Sequence, residues 1–227
     1  MRASRIGSVG WLPIALLPRR ILPVLLCGVV TAALAVWVPS SDLYIGPADR
    51  APRVLRALEY GTMLVGLALA IGLTPRFPDW DRYGAPRTRT AALLGLSFCV
   101  VLPIGIFLLL LTMPLSLYDT SDADALELLP LLNNITISSL AAYSLVGSVG
   151  RLLGSLIWAG GLCTLLYWQA TMPSWVYAFP LNMHLSSDYS LDSEIRWFWI
   201  GLFLVASMAV AWKRRGVPVR LAIRTDD

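Results

Sequence analysis

Lysine is almost missing from this chain: of its 18 basic residues only Lys213 is a lysine, and the rest are arginine. A phosphate-cradling Gly-x-x-x-x-Gly-Lys loop is therefore excluded, because Trp212 and not glycine precedes the one lysine. Histidine is reduced to His184, which rules out a multi-histidine metal centre and a zinc-protease helix. Ser186, Ser187 and Asp188 follow it in sequence, but neighbours along a chain do not make a catalytic triad. Cysteine is limited to Cys27, Cys99 and Cys163, one in each of three separate apolar runs. That spacing fits neither a metal site nor a disulfide framework, and all three are expected to be small buried apolar side chains. Charge is scarce as well, at 14% of residues against roughly a quarter in soluble domains. With no nucleophile elbow around any serine, nothing points to an enzyme.

What the chain has in quantity is apolar length. Hydrophobic residues make up 57% of it, and the mean hydropathy is +0.68. They gather into runs of about 18 to 26 residues, each long enough to cross a hydrocarbon core of about 30 Å as helix. Six spans are expected, at 20–39, 54–73, 91–116, 127–149, 152–172 and 197–213. With 227 residues there is room for one all-α integral membrane bundle and no separate soluble domain.

The arginines orient it. With the N-terminus inside, Arg2, Arg5, Arg19, Arg20, Arg76, Arg82, Arg87, Arg89, Arg151, Lys213, Arg214, Arg215, Arg220 and Arg224 are cytoplasmic. Only Arg50, Arg53, Arg56 and Arg196 fall outside, a bias that predicts an N-in, C-in, multi-pass protein of the inner (plasma) membrane. Because the basic residues flank apolar runs and form no basic face with interleaved aromatics, nucleic acid is not an expected partner. Residues 1–19, with Trp11 between Pro13 and the N-terminal arginines, read as an interfacial elbow on the inner leaflet. The 20–39 run is long for a cleaved leader and reads as a span. Asp119, Asp122, Asp124 and Glu127 crowd one outer loop, and Asp188, Asp192 and Glu194 another, consistent with solvated faces.

Three spans carry special features. The third holds Pro103 near Gly105, which predicts tilt or a kink. The fourth is rich in polar residues. At 100° per residue Leu131, Ile135, Ala142, Val146 and Val149 share a narrow arc suited to lipid, while Asn133, Asn134, Thr136, Tyr143 and Ser144 spread around the rest. Those polar residues line a pathway or a subunit interface, or else bond neighbouring helices together. Asn134-Ile135-Thr136 spells a glycosylation acceptor but lies at the membrane boundary. Gly147, Gly150 and Gly154 around the junction of the fourth and fifth spans predict a tight antiparallel hairpin. Glu59, the only acid inside a span, is either a proton or cation site or an interfacial partner of Arg56, three residues earlier. Between the fifth and sixth spans, Trp175 to Phe179 is too apolar for water and too short to cross, so it lies in the interface or dips in and returns, with Trp197 and Trp199 anchoring the last helix.

The polar stretch "TPRFPDWDRYGAPRTRTAALLGL" then falls on the inner side between spans two and three. Orientation requires only its arginines. Trp80 and Tyr83, three residues apart beside Asp79, Asp81 and Arg82, present a docking surface or an aromatic belt. Together with "LLPLLNNITISSLAAYSLVGSVGRLLGSLIW", this layout resembles the compact six-helix permease subunits of ATP-binding-cassette exporters from high-GC Gram-positive bacteria. The resemblance implies a second permease copy or a related permease, and a separate cytoplasmic ATPase that carries the ATP and Mg, none being bound by this chain. It also implies that Asp79, Trp80, Asp81, Arg82 and Tyr83 couple to that ATPase and that Trp175 to Phe179 forms an outer re-entrant segment. The expected cargo is a hydrophobic or amphipathic solute. A non-transporting accessory subunit of a larger membrane complex, respiratory or envelope-building, is the alternative.

Overall fold

The computed structural model describes residues 26, 30, 43–45, 53–55, 57–74, 87–112, 125–171, 179–182 and 196–214. Five helices are described: α1 (Ala57–Leu73), α2 (Arg87–Thr112), α3 (Ala125–Val149), α4 (Arg151–Thr171) and α5 (Trp197–Arg214). They correspond to the second through sixth apolar runs. Leu26 and Val30, in the first run, are helical, one turn apart and exposed. The expected elbow at 1–19 and the docking stretch at 79–83 lie outside the described residues.

Two boundaries differ from the hydropathy reading. Val54 and Leu55, assigned to the second span, instead belong to strand β2 (Arg53–Leu55), which pairs antiparallel with β1 (Leu43–Ile45). Its register sets Leu43 opposite Leu55 and Ile45 opposite Arg53. Both strands carry β-branched or aromatic residues, and the seven residues between them include Gly46, Pro47 and Pro52, which favour a turn over a helix. The ribbon packs against α4. Helix α2 begins four residues earlier than hydropathy placed it, directly after Pro86, and runs unbroken through the buried Pro103. Proline removes one ladder hydrogen bond, a loss that neighbouring helices in a membrane bundle can absorb.

Side-chain contacts give the helix directions. Pairs Asn133–Arg196 and Ser144–Ser207 keep a constant offset along α3 and α5, so these two run parallel. Glu59–Asn134 and Gly66–Ser139 advance together along α1 and α3, so these two are parallel as well. Cys99 reaches the Gly66 carbonyl, while Gly95 lies beside Leu73, so α2 runs antiparallel to α1. The bundle thus has one end where α1, α3 and α5 begin and α4 finishes, here called the amide end. At its opposite end, the hairpin end, α1 and α3 finish and α4 begins.

The junction of α3 and α4 is one residue long. Gly150 adopts φ 105°, a left-handed conformation that glycine reaches without a Cβ penalty, and its N–H bonds the Val146 carbonyl. Gly154 brings the backbones together: a Cβ there would lie 2.6 Å from Val146 Cα and 2.7 Å from the Leu145 carbonyl oxygen. Lipid tails are as apolar as leucine, so burial from water does not drive these contacts, and close backbone packing with interhelical hydrogen bonds does.

Helix α3 is the central member, packed against α1, α2, α4 and α5. Its apolar span is 67% buried, against 33% for α2 and 22% for α4. Of the arc expected to meet lipid, Leu131, Ile135, Ala142 and Val146 are buried inside the bundle and Val149 is half-buried. Amphipathic pattern misleads here because a helix surrounded by partners has no lipid face to mark. The apolar outer surface comes instead from Phe98, Val101 and Leu109 on α2, Leu152, Leu156 and Trp168 on α4, and Phe198, Val205 and Trp212 on α5. Three helices, α2, α3 and α4, contain segments long and apolar enough to cross a membrane, and α1 and α5 are shorter apolar helices.

Candidate functional site

At the amide end, four helices and one tucked segment place polar side chains in a common buried knot. Glu59 comes from the first turn of α1, Asn133 and Asn134 from α3, Gln169 from the last turn of α4, and Arg196 from the residue before α5. Between them lies Pro180–Leu181–Asn182, all three residues buried. Glu59, Asn134, Gln169 and Asn182 have no exposed surface, and Arg196 keeps 8%.

The bonding is directional. Asn134 Nδ2 donates to Glu59 Oε1 at 2.7 Å and to the Asn182 carbonyl at 3.1 Å. Its Oδ1 accepts the Asn182 backbone N–H at 2.6 Å, so one amide side chain pairs with both main-chain groups of Asn182. Gln169 Nε2 donates to the Leu181 carbonyl at 2.6 Å, and Asn133 Nδ2 donates at 3.4 Å to the Pro180 carbonyl. Asn133 Oδ1 accepts the Arg196 backbone N–H at 3.0 Å, and Arg196 Nε donates to Asn182 Oδ1 at 3.2 Å. A short irregular backbone, buried in the bundle, is thereby satisfied by side chains. An unmet amide group in such surroundings costs several kcal/mol or more.

Leu181 supplies the apolar half of the contact. Its side chain packs with Ile137 and Leu166, and Tyr60, Trp199, Ile200 and Phe203 close around them. Phe179 stacks in a tilted arrangement on Trp168, centroids 6.4 Å apart. Trp199 stacks on Phe203 and meets Phe198 edge-on, so the start of α5 is an aromatic collar, with Trp197 and Phe198 largely exposed.

Each polar residue singled out on the fourth span has its place inside the bundle. Asn133 and Asn134 hold the tucked segment. Thr136 donates to the Leu132 carbonyl at 2.7 Å, in its own helix. Tyr143 is buried in the main apolar core. Ser144 meets Ser207 of α5 at 2.7 Å, and Ser207 also donates to the Leu140 carbonyl. The buried Asn134 carries its glycosylation spelling where no sugar could be attached. Of the segment Trp175 to Phe179 only Phe179 is described, and the residues that dip into the bundle follow it.

Two partners of this knot gave little warning in the sequence. Gln169 is a lone amide near the end of an apolar run, and such residues are costly unless bonded, which was a usable signal. Asn182 follows the apolar segment as one of several polar residues, and nothing in its spacing separates it from a solvated loop. Cys163 also departs from expectation, being exposed on α4, whereas Cys99 is buried. Among the described residues no cluster of His, Cys, Asp or Glu is suited to a metal ion.

At the hairpin end a second tie joins α1 to α4. Arg151 Nη2 donates to the Thr74 carbonyl, and Thr74 Oγ1 donates back to Ala70 at 2.7 Å. Thr74 is followed by Pro75, so the tie holds the chain where α1 stops. No family model, curated protein or solved structure matches this chain.

Proposed function

We propose that the chain is a non-enzymatic, multi-pass subunit of a bacterial plasma membrane that supports a larger membrane assembly. The observation that carries this reading is the use of α3. Its two asparagine amides and the hydroxyls of Thr136, Ser144 and Ser148 bond the tucked segment, Glu59 of α1, α5 and its own backbone, which suits a stable frame more than a lined route for a solute. The broad apolar surfaces of α2, α4 and α5 then face lipid or the partner's helices.

A second reading, the permease subunit of an ATP-driven exporter, is favoured by the Arg151–Thr74 tie. That contact mounts the root of the 75–86 loop on the α3–α4 hairpin, as a coupling element pulled by an ATPase would require. In this reading Asp79, Trp80, Asp81, Arg82 and Tyr83 touch the ATPase, and the route lies between two copies.

Purification from the native membrane in mild detergent, followed by mass spectrometry of what accompanies the chain, separates the two. A different membrane assembly in fixed proportion supports the supporting-subunit reading. A stoichiometric ATPase with its own phosphate-binding loop replaces it with the exporter reading, and Asp79→Arg or Asp81→Arg is then expected to uncouple transport while the protein still inserts.

A further inference from the structure

The two ends of the bundle differ in charge. Helices α1, α3 and α5 run parallel and α2 and α4 run against them, so α2 and α4 begin, and α5 finishes, at the hairpin end. Arg87 and Arg89 stand in the first turn of α2, Arg151 opens α4, and Lys213 and Arg214 close α5. Among the described residues this end holds those five basic residues and no acid, while both described acids, Glu59 and Glu127, lie in the first turns of α1 and α3 at the amide end. The 75–86 loop leading to α2 brings two arginines and two aspartates, and the stretch after 214 three arginines against two aspartates, so neither offsets the imbalance.

Four of the five come from two helices that touch. Helices α2 and α5 pack together, and Leu96 and Ala211 are buried in the same cluster, which brings the start of one beside the finish of the other. At 1.5 Å per residue, Arg89 lies about 10 Å along the axis from Leu96, and Arg214 about 5 Å from Ala211. Just inside these termini both helices expose apolar side chains: Leu93, Leu94 and Phe98 on α2, and Val205, Met208 and Trp212 on α5. Trp212 precedes Lys213 and is 64% exposed, the place an indole takes at a membrane–water interface. A partner helix or a neutral lipid would cover the apolar faces without needing the basic residues, so it is the charge that selects the occupant. The first-turn N–H groups of α2 favour an anion as well.

We infer that the Arg87–Arg89 start of α2 and the Lys213–Arg214 end of α5, set side by side at the hairpin end, form a headgroup site for an anionic phospholipid whose acyl chains lie along the exposed faces of those two helices. Positive charge at the rim of an open apolar face matches a molecule with a negative phosphate head and hydrocarbon tails. A phosphocholine head carries its own cation and gains little there. The bound lipid ties the root of α2 to the last turn of the last helix.

The test places the full chain in nanodiscs of equal phosphatidylglycerol and phosphatidylcholine, releases it for native mass spectrometry and counts the lipids it retains. Both faces of a nanodisc are open, so orientation in the cell does not enter. The unmodified chain is expected to retain phosphatidylglycerol over phosphatidylcholine by about tenfold or more. Arg87→Gln with Arg89→Gln, and separately Lys213→Gln with Arg214→Gln, should each lower that preference about fivefold or more. Arg50→Gln with Arg53→Gln removes as much charge from the stretch before α1 and is expected to leave the preference within about twofold. Arg87→Lys with Arg89→Lys keeps the charge and is expected to keep the preference. Equal retention of both lipids by the unmodified chain would overturn the site. So would an equal loss in the Arg50 and Arg53 variant, which would make the attraction one of overall charge. Release of the retained lipid by millimolar inorganic phosphate would also overturn it, by showing a site for a free anion.

Discussion

Asn134 takes part in four hydrogen bonds with one side chain, and two of them go to the main chain of Asn182. Asparagine is suited to this because its amide carries a donor and an acceptor side by side, the same arrangement a neighbouring β-strand would offer. Asn134→Ala removes all four bonds, one of them to the buried Glu59 carboxyl, and leaves the Asn182 N–H and carbonyl unmet. Thermal unfolding in detergent is expected to show a loss of about 3 to 5 kcal/mol. Asn133→Ala, whose longest bonds are 3.4 Å, should cost about 1 to 2 kcal/mol. The Ser144–Ser207 contact links two parallel helices through hydroxyls that each have another acceptor, so a double-mutant cycle with alanine should give a coupling of about 0.6 kcal/mol. Of these residues the pair of asparagines stood out in the sequence, because amides inside an apolar run demand partners. The identity of their partner did not, since Asn182 is 48 residues away in a polar stretch.

Helices α3 and α4 show how an element pair is made by its smallest residues. Gly150 turns the chain and Gly154 lets α4 lie directly on the backbone at Val146. Gly154→Leu would force the two apart, and a loss of about 3 kcal/mol or more is expected, with weakened disulfide crosslinking between cysteines placed across the hairpin. Gly160 and Gly161 in the same helix have nothing within 4 Å of a built Cβ, so Gly160→Ala should change stability by less than about 0.5 kcal/mol. The hairpin was legible from Gly147, Gly150 and Gly154 lying so close to a one-residue break. The ribbon β1–β2 was not, because three-residue strands carry too little pattern to outweigh an adjacent apolar run.

For the whole molecule, the arginine bias and the direction of the helices make one joint prediction. If the N-terminus is inside, the amide end faces out and the hairpin end faces the cytoplasm. A reporter fused after residue 214, or inserted in 75–86, is then expected to behave as cytoplasmic, and one inserted in 113–124 as external. Reversed signals at all three sites would turn the molecule over and put the tucked segment on the inner side. Either way the knot and the Arg151 tie remain at opposite ends of α1, which joins them as one continuous helix of 17 residues.

Composition by itself determined that the chain belongs in a membrane, because runs of this length and apolarity have no stable alternative in water. It also determined where helices start and stop to within a few residues, since Pro75, Pro86 and Gly150 act locally on the backbone. Which side of each helix meets its neighbours was decided only in the tertiary structure. Lipid and protein interior are both apolar, so hydropathy cannot distinguish the buried arc Leu131–Ile135–Ala142–Val146 from the exposed faces of α2, α4 and α5. The amide knot depends on the same level: five contributors from separate stretches of chain meet because the bundle fixes their distances, and no local rule relates Glu59 to Arg196.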